Sequence, residues 1–213
     1  MPLILVRHAE SIHSQQGIIA DISGCSGLTQ HGFEQAQLLA NRLRTTGELN
    51  DCQTMLYSPV LRAQQTAQVL LEVIPAKIVK QDHALCELHP GEAGGLSWQE
   101  YREKFEEFDL IGSPNRPFAP QGESWLEFLS RVRYTLEKLA SQYENQTVMV
   151  VTHAGFIVAS LLVLFDIPRP GTGAYLNPAH TSLTEWHKSN GTWQLAKYND
   201  SWHLTIMDQR ANP

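Results

Sequence analysis

The chain has 213 residues, 42% of them hydrophobic and 18% charged, with a net charge of −6. That length suits one domain with a sizeable core, and the acidic balance argues against a broad nucleic-acid surface. The three cysteines, Cys25, Cys52 and Cys86, follow no metal-type spacing and fit free thiols in a reducing cytosol.

Leu3–Val6 is a short, wholly apolar run, as expected of a strand covered on both faces, and it runs straight into Arg7 and His8. Residues 1–9 therefore read as a strand and its turn, not as a secretory signal. Residues 12–28 are polar and glycine-containing and read as a loop. Thr29 can cap a helix over roughly 30–45, with Phe33, Ala36, Leu39, Ala40 and Leu43 on one stripe. A second strand is expected at Met55–Tyr57, then a helix beginning near Pro59, then a third strand at Lys77–Val79.

Residues 80–121 break this rhythm and form a lid-like excursion. One helix is expected inside it, because Trp98, Tyr101, Phe105 and Phe108 are spaced by three and four. The stretch "GESWLEFLSRVRYTLEKLASQY" is a strongly amphipathic helix. Thr147–Val151 is a fourth strand, and 154–165 a buried helix too short to span a bilayer. Two further strands, at about 181–187 and 192–198, flank an "SNG" turn and read as an antiparallel hairpin. The expected fold is a three-layer α/β/α sandwich: a mostly parallel mixed sheet with helices on both faces, one domain over 1–213. With no export or membrane segment apparent, the expected location is cytoplasmic.

Three segments deliver basic groups to equivalent places. Arg7 and His8 follow the first strand, Arg62 opens the helix after the second, and His153 follows the fourth. Ligands of open parallel sheets gather at the carboxyl ends of strands. A single strand-end histidine is ordinarily structural, and Arg62 alone reads as a solvated helix residue. Three independent cations at one sheet edge point to an anion site, and phosphate fits best because guanidinium forks match its oxygens.

"LVRHAES", "SPVLRAQQTA", "GES", "VVTHAG" and the closing "YNDSWHL", in that order, resemble the histidine phosphatase superfamily, which includes the cofactor-dependent phosphoglycerate mutases. The resemblance implies that His8 is a nucleophile forming a phosphohistidine, with Arg7, Arg62 and His153 holding the phosphate oxygens and no metal or other cofactor required. His8 would be neutral, its second ring nitrogen donating to a backbone carbonyl, while His153 would carry a proton against the phosphate dianion. Glu87 matches the acid glutamate of relatives, with Glu92 as competitor. Ser14 stands where many members have a phosphate-contacting asparagine, keeping a hydroxyl but losing the amide's reach.

The arginine that mutases carry a few residues later has no counterpart among Gly17, Ile18 and Ile19, and only Arg116 is a candidate for a second phosphate. Hydrolysis of a small phosphorylated metabolite is therefore favoured over bisphosphate-dependent mutase chemistry, and over a non-catalytic phospho-ligand module, since no expected catalytic group is missing. The aromatic residues of the excursion could grip an apolar leaving group or simply be core. His13, His89 and His180 are candidates for the pocket edge. The expected partner is a small phosphorylated substrate, not nucleic acid or membrane. A homodimer is left open.

Overall fold

The computed structural model describes residues 1–22, 24–167 and 174–205. Six strands form one sheet: β1 (Pro2–Arg7), β2 (Cys52–Tyr57), β3 (Ile78–Gln81), β4 (Thr147–Thr152), β5 (Leu183–Ser189) and β6 (Thr192–Asp200), in the order β3-β2-β4-β1-β5-β6. The first four are mutually parallel; β5 runs antiparallel to β1, and β6 antiparallel to β5. The sheet is thus mixed, with its hairpin at one edge.

Side-chain alternation along the central strands divides the core in two. Leu3, Leu5, Val148 and Val150 point to one face, where α5 (Trp125–Gln142) and α6 (Ala154–Leu164) pack with Phe128, Val132, Leu136, Phe156 and Ile157. Ile4, Val6, Met149 and Val151 point to the other, against Leu39 and Leu43 of α2 (Gln30–Thr46) and Ala63, Ala67 and Leu70 of α3 (Leu61–Leu71). This is the three-layer sandwich.

Register places the site. Arg7 pairs with Thr152, and Tyr57 with Val151. The ladder continues one step further: the His8 amide donates to Thr152 O at 2.9 Å and the Ser58 amide to Val151 O at 3.0 Å. His8, Ser58 and His153 therefore leave three adjacent strands at the same level. His153 is the N-cap residue of α6.

Several expectations are corrected. The segment 12–28 is not all loop: α1 (Ile12–Gln16) forms within it and is stopped by left-handed Gly17. Phe33 is 39% exposed, outside the buried stripe of α2. In the excursion, α4 covers only Trp98–Lys104, because Phe105 is already extended. The aromatic spacing across 98–108 reflects a separate small core instead. Tyr101, Phe118, Ala93 and Ile19 are buried together, with Phe105 and Phe108 against them. Tyr101 stacks on Phe118 at 4.5 Å between ring centroids. Among the described residues, no helix is long and apolar enough to cross a membrane.

Candidate active site

A cavity of about 480 Å³ opens over the carboxyl ends of β1 and β2, lined by Arg7, His8, Arg62 and Glu87 and walled outward by Ile18, Ile19, Leu88, Phe108, Phe118 and Trp125. His13, Ser14 and Ala154 also face it.

His8 is fixed at both ring nitrogens. Its Nδ1 lies 2.7 Å from Ala9 O, and Arg62 Nε donates to Nε2 at 3.1 Å. The carbonyl requires the proton on Nδ1, which leaves the Nε2 lone pair to accept from Arg62 at the cavity wall. Burial, then the charge of Arg62, hold the imidazole well below its ordinary value of 6.5, so it is neutral at physiological pH. A neutral imidazole with a directed lone pair is the form able to attack phosphorus.

Arg62 is only 4% exposed, which overturns its reading as a solvated helix residue. Its Nη2 lies 3.2 Å from His153 Nδ1, and its Nη1 donates to Ala20 O at 3.3 Å. His153 Nε2 lies 2.8 Å from Ser58 Oγ. The two arrangements agree on one tautomer, in which Nε2–H donates to Ser58 and Nδ1 accepts from Arg62. Burial, then Arg62, push His153 well below 6.5, so in the free protein it carries no extra proton. The His8 and His153 rings are 5.1 Å apart, and His180 flanks His8 on another side at 5.6 Å, its Nδ1 3.0 Å from His8 O.

Arg7 is held by Pro178 O and, at 3.5 Å, by Asn177 Oδ1. Its Nε is buried and has no partner among the described residues. Burial lowers its pKa from the ordinary guanidinium value, while Glu87 opposes that shift. An unpartnered guanidinium N–H in a cavity wall is a strong invitation to an anion.

Glu87 projects into the same cavity. Gly155 N–H donates to its Oε2 at 2.8 Å and Leu88 N–H to Oε1 at 3.3 Å. A Cβ at position 155 would overlap the Glu87 carboxylate, so only glycine permits this approach. The first-turn Gly155 amide of α6 is thereby spent on the carboxylate.

The segment carrying Glu87 is buckled by a residue that sequence reasoning missed. Arg131 Nη1 donates to Ala84 O at 2.9 Å and Cys86 O at 3.0 Å, and Nη2 to Glu87 O at 3.1 Å. The same guanidinium forks onto Glu123 at 2.8 and 2.7 Å. The one available hint was Glu123 of "GES", just ahead of α5 and eight positions before Arg131.

Other expectations fare differently. Glu92 is exposed and accepts from Gln121, outside the cavity lining. Arg116 does not face the cavity; it pairs with the Glu106 carboxylate and the Glu107 carbonyl, so it offers no second phosphate site. Ser14 lines the cavity, with its hydroxyl 2.7 Å from Ser11 Oγ. His89 pairs with Asp21 at 3.4 Å, also outside the lining. No group of three or more His, Cys, Asp or Glu able to hold a metal occurs among the described residues.

The model of the histidine phosphatase superfamily (branch 1) matches residues 3–201. This chain belongs to that superfamily. It is 29% identical over 206 residues to a metal-independent phosphoserine phosphatase of Arabidopsis thaliana, covering 95% of this chain and 83% of that one. It is 32% identical to phosphoserine phosphatase 1 of Hydrogenobacter thermophilus, covering 71% and 70%. Among solved structures, Bacillus stearothermophilus YhfR superposes with a TM-score of 0.83 at 25% identity over 95% of this chain and 98% of that one. A phosphoserine phosphatase mutant of Entamoeba histolytica in complex with phosphoserine superposes with a TM-score of 0.77 at 26% identity, with the same coverage. The chain is a histidine phosphatase, a phosphoric monoester hydrolase of the phosphohistidine type.

Proposed function

We propose that this histidine phosphatase hydrolyses phosphomonoesters by double displacement at His8, with Glu87 serving first as acid and then as base. The observation that carries the reading is the double anchoring of His8, Nδ1 on Ala9 O and Nε2 toward Arg62. The Nε2 lone pair attacks phosphorus, the bond to the ester oxygen breaks, and the Glu87 carboxyl gives its proton to the departing oxygen. Glu87, now a carboxylate, takes a proton from water. The resulting hydroxide attacks the phosphohistidine, the P–N bond breaks, and inorganic phosphate leaves with His8 restored.

Arg7 and Arg62 bind the non-bridging oxygens and meet the charge that spreads over them in transfer, while His153, behind the cavity lining, backs Arg62 through its Nδ1. Arg7, in the cavity lining, supplies guanidinium N–H groups toward an oxygen. Ser14 contributes a hydroxyl at the cavity rim. Ser58 fixes the His153 tautomer and Arg131 the path of the Glu87 segment; both act as positioning residues. Among the described residues, no cation suited to a second phosphate lines the cavity, which favours hydrolysis over a mutase cycle. Phosphoserine, the substrate named for several relatives, is the reference compound. The test is phosphate release together with a ³¹P resonance of a phosphorylated imidazole in rapidly quenched enzyme. Both should vanish in His8→Ala; persistence of either would defeat the assignment.

A further inference from the structure

Beyond the phosphate cage the cavity wall is apolar, and it does not end there. Phe108, Leu110 and Trp125 belong at once to the site cavity and to a second cavity of about 740 Å³. That chamber continues along Val158 and Leu162 of α6 to Leu176. Leu176 is 44% exposed and Tyr175, at the same mouth, is 87% exposed. Among the described residues, the charged side chains lining it are the acids Glu107 and Asp109. In the site cavity itself, among the described residues, the arginines are Arg7 and Arg62, both at the cage, and no lysine lines it.

We infer that this chamber receives the leaving group, and that the preferred substrates are phosphomonoesters of long-chain or fused-aromatic alcohols that bear no carboxylate. The inference rests on His8 being the phosphorylated residue, because the chamber matters through its continuity with that cage. A leaving group held there by its phosphate meets Phe108, Leu110 and Trp125, the wall that the site cavity shares with the chamber. An apolar chain there leaves water for a wall of like character. The carboxylate of phosphoserine or of a phosphorylated sugar acid would lose hydration against the same wall and meet Glu107 and Asp109 at the far end. The chamber's volume lies within the range of small-molecule sites.

The test is kcat/KM along an n-alkyl phosphate series from butyl to decyl below micelle-forming concentrations, with phenyl phosphate, 1-naphthyl phosphate and phosphoserine for comparison. Each added methylene should raise kcat/KM by up to about fourfold, the factor for a fully buried CH₂. Decyl phosphate should exceed both butyl phosphate and phosphoserine by roughly 100-fold or more on that scale. Leu176→Glu, or Leu176→Ser if the charge impairs folding, should cut the decyl-to-butyl ratio about tenfold. A flat series, or phosphoserine ahead of decyl phosphate, overturns the inference while leaving His8 chemistry intact. A dimer in sedimentation whose formation abolishes the length dependence assigns the chamber to a second copy and likewise overturns it. Failure of the whole panel, or equal turnover by His8→Ala, removes the underlying reading and the inference with it.

Discussion

His8, Ser58 and His153 each stand one residue past a paired strand, and the sheet's hydrogen-bond ladder pins the chain at their level. Tyr101, Phe105, Phe108 and Phe118 come from a seven-residue helix and the loops after it, and they hold one another by ring contacts. The first arrangement fixes direction: each nitrogen has an assigned partner, and a displaced atom loses a hydrogen bond. The second fixes only shape, since ring packing tolerates substitution of similar volume. Charge chemistry needs the first kind of order and selection among leaving groups needs only the second. The cage is therefore built on strands and the cap on loops.

Substitutions can break this contrast. His8→Ala should lower kcat by about 10⁴-fold or more for every substrate, because no other group offers a directed lone pair. Arg62→Ala should cost about 10²–10³-fold, also irrespective of leaving group, as expected for loss of a charge-stabilising donor. Glu87→Gln should differ in kind: a loss of about 10²–10⁴-fold on alkyl phosphates and far less on p-nitrophenyl phosphate, whose leaving oxygen needs no proton. Gly155→Ala should reproduce that leaving-group dependence, because the new methyl displaces the Glu87 carboxylate. Equal losses on both substrates would show that Glu87 is not the acid.

Arg131→Met should move the Glu87 segment and destabilise the fold by on the order of 3 kcal/mol, since it strands Glu123 in a nearly buried pair. A positioning role predicts that kcat on alkyl phosphates falls more than kcat on aryl phosphates, with partial rescue by Arg131→Lys. A uniform fall tracking the melting temperature would make Arg131 merely structural.

Protonation sharpens the contrast at smaller amplitude. Burial and Arg62 keep His153 neutral in the free protein, whereas a bound phosphate dianion favours its charged form. Binding of inorganic phosphate or vanadate at pH 7 should therefore take up as much as about one proton, measurable by calorimetry in buffers of different ionisation enthalpy. Stability carries a related signature. Burial first lowers His13, His180 and His203 from 6.5 to about 4. Between those values the unfolded chain binds more protons than the folded one. The stability these neutral imidazoles confer is complete above pH 6.5 and is lost as pH falls toward 4. Melting temperatures at pH 7, 5.5 and 4.5 should fall in that order, and His203→Gln should flatten the decline.

The cage was legible in the sequence because its members are unusual residues at regular positions: an Arg-His pair, an arginine and a histidine, each next to a strand or the first turn of a helix. The sheet order that makes those strands neighbours was only a condition there, and β4 lying between β1 and β2 meets it. The cap was far less legible. Its aromatic spacing mimics a helix, yet Tyr101 finds Phe118 seventeen positions away. Arg131 was hidden for a different reason. On an amphipathic helix an arginine ordinarily faces water, and nothing local signals that it gathers three carbonyls from the 84–87 segment.

The contact between Arg62 Nε and His8 Nε2 has a consequence for the resting enzyme. The electron pair proposed to attack phosphorus is sheathed by a donor, so stray alkylating or acylating agents meet a blunted imidazole. A dianion drawing the guanidinium toward its own oxygens strips that sheath at the moment phosphorus arrives. Reactivity is thus armed by the substrate's charge and stands down when phosphate departs.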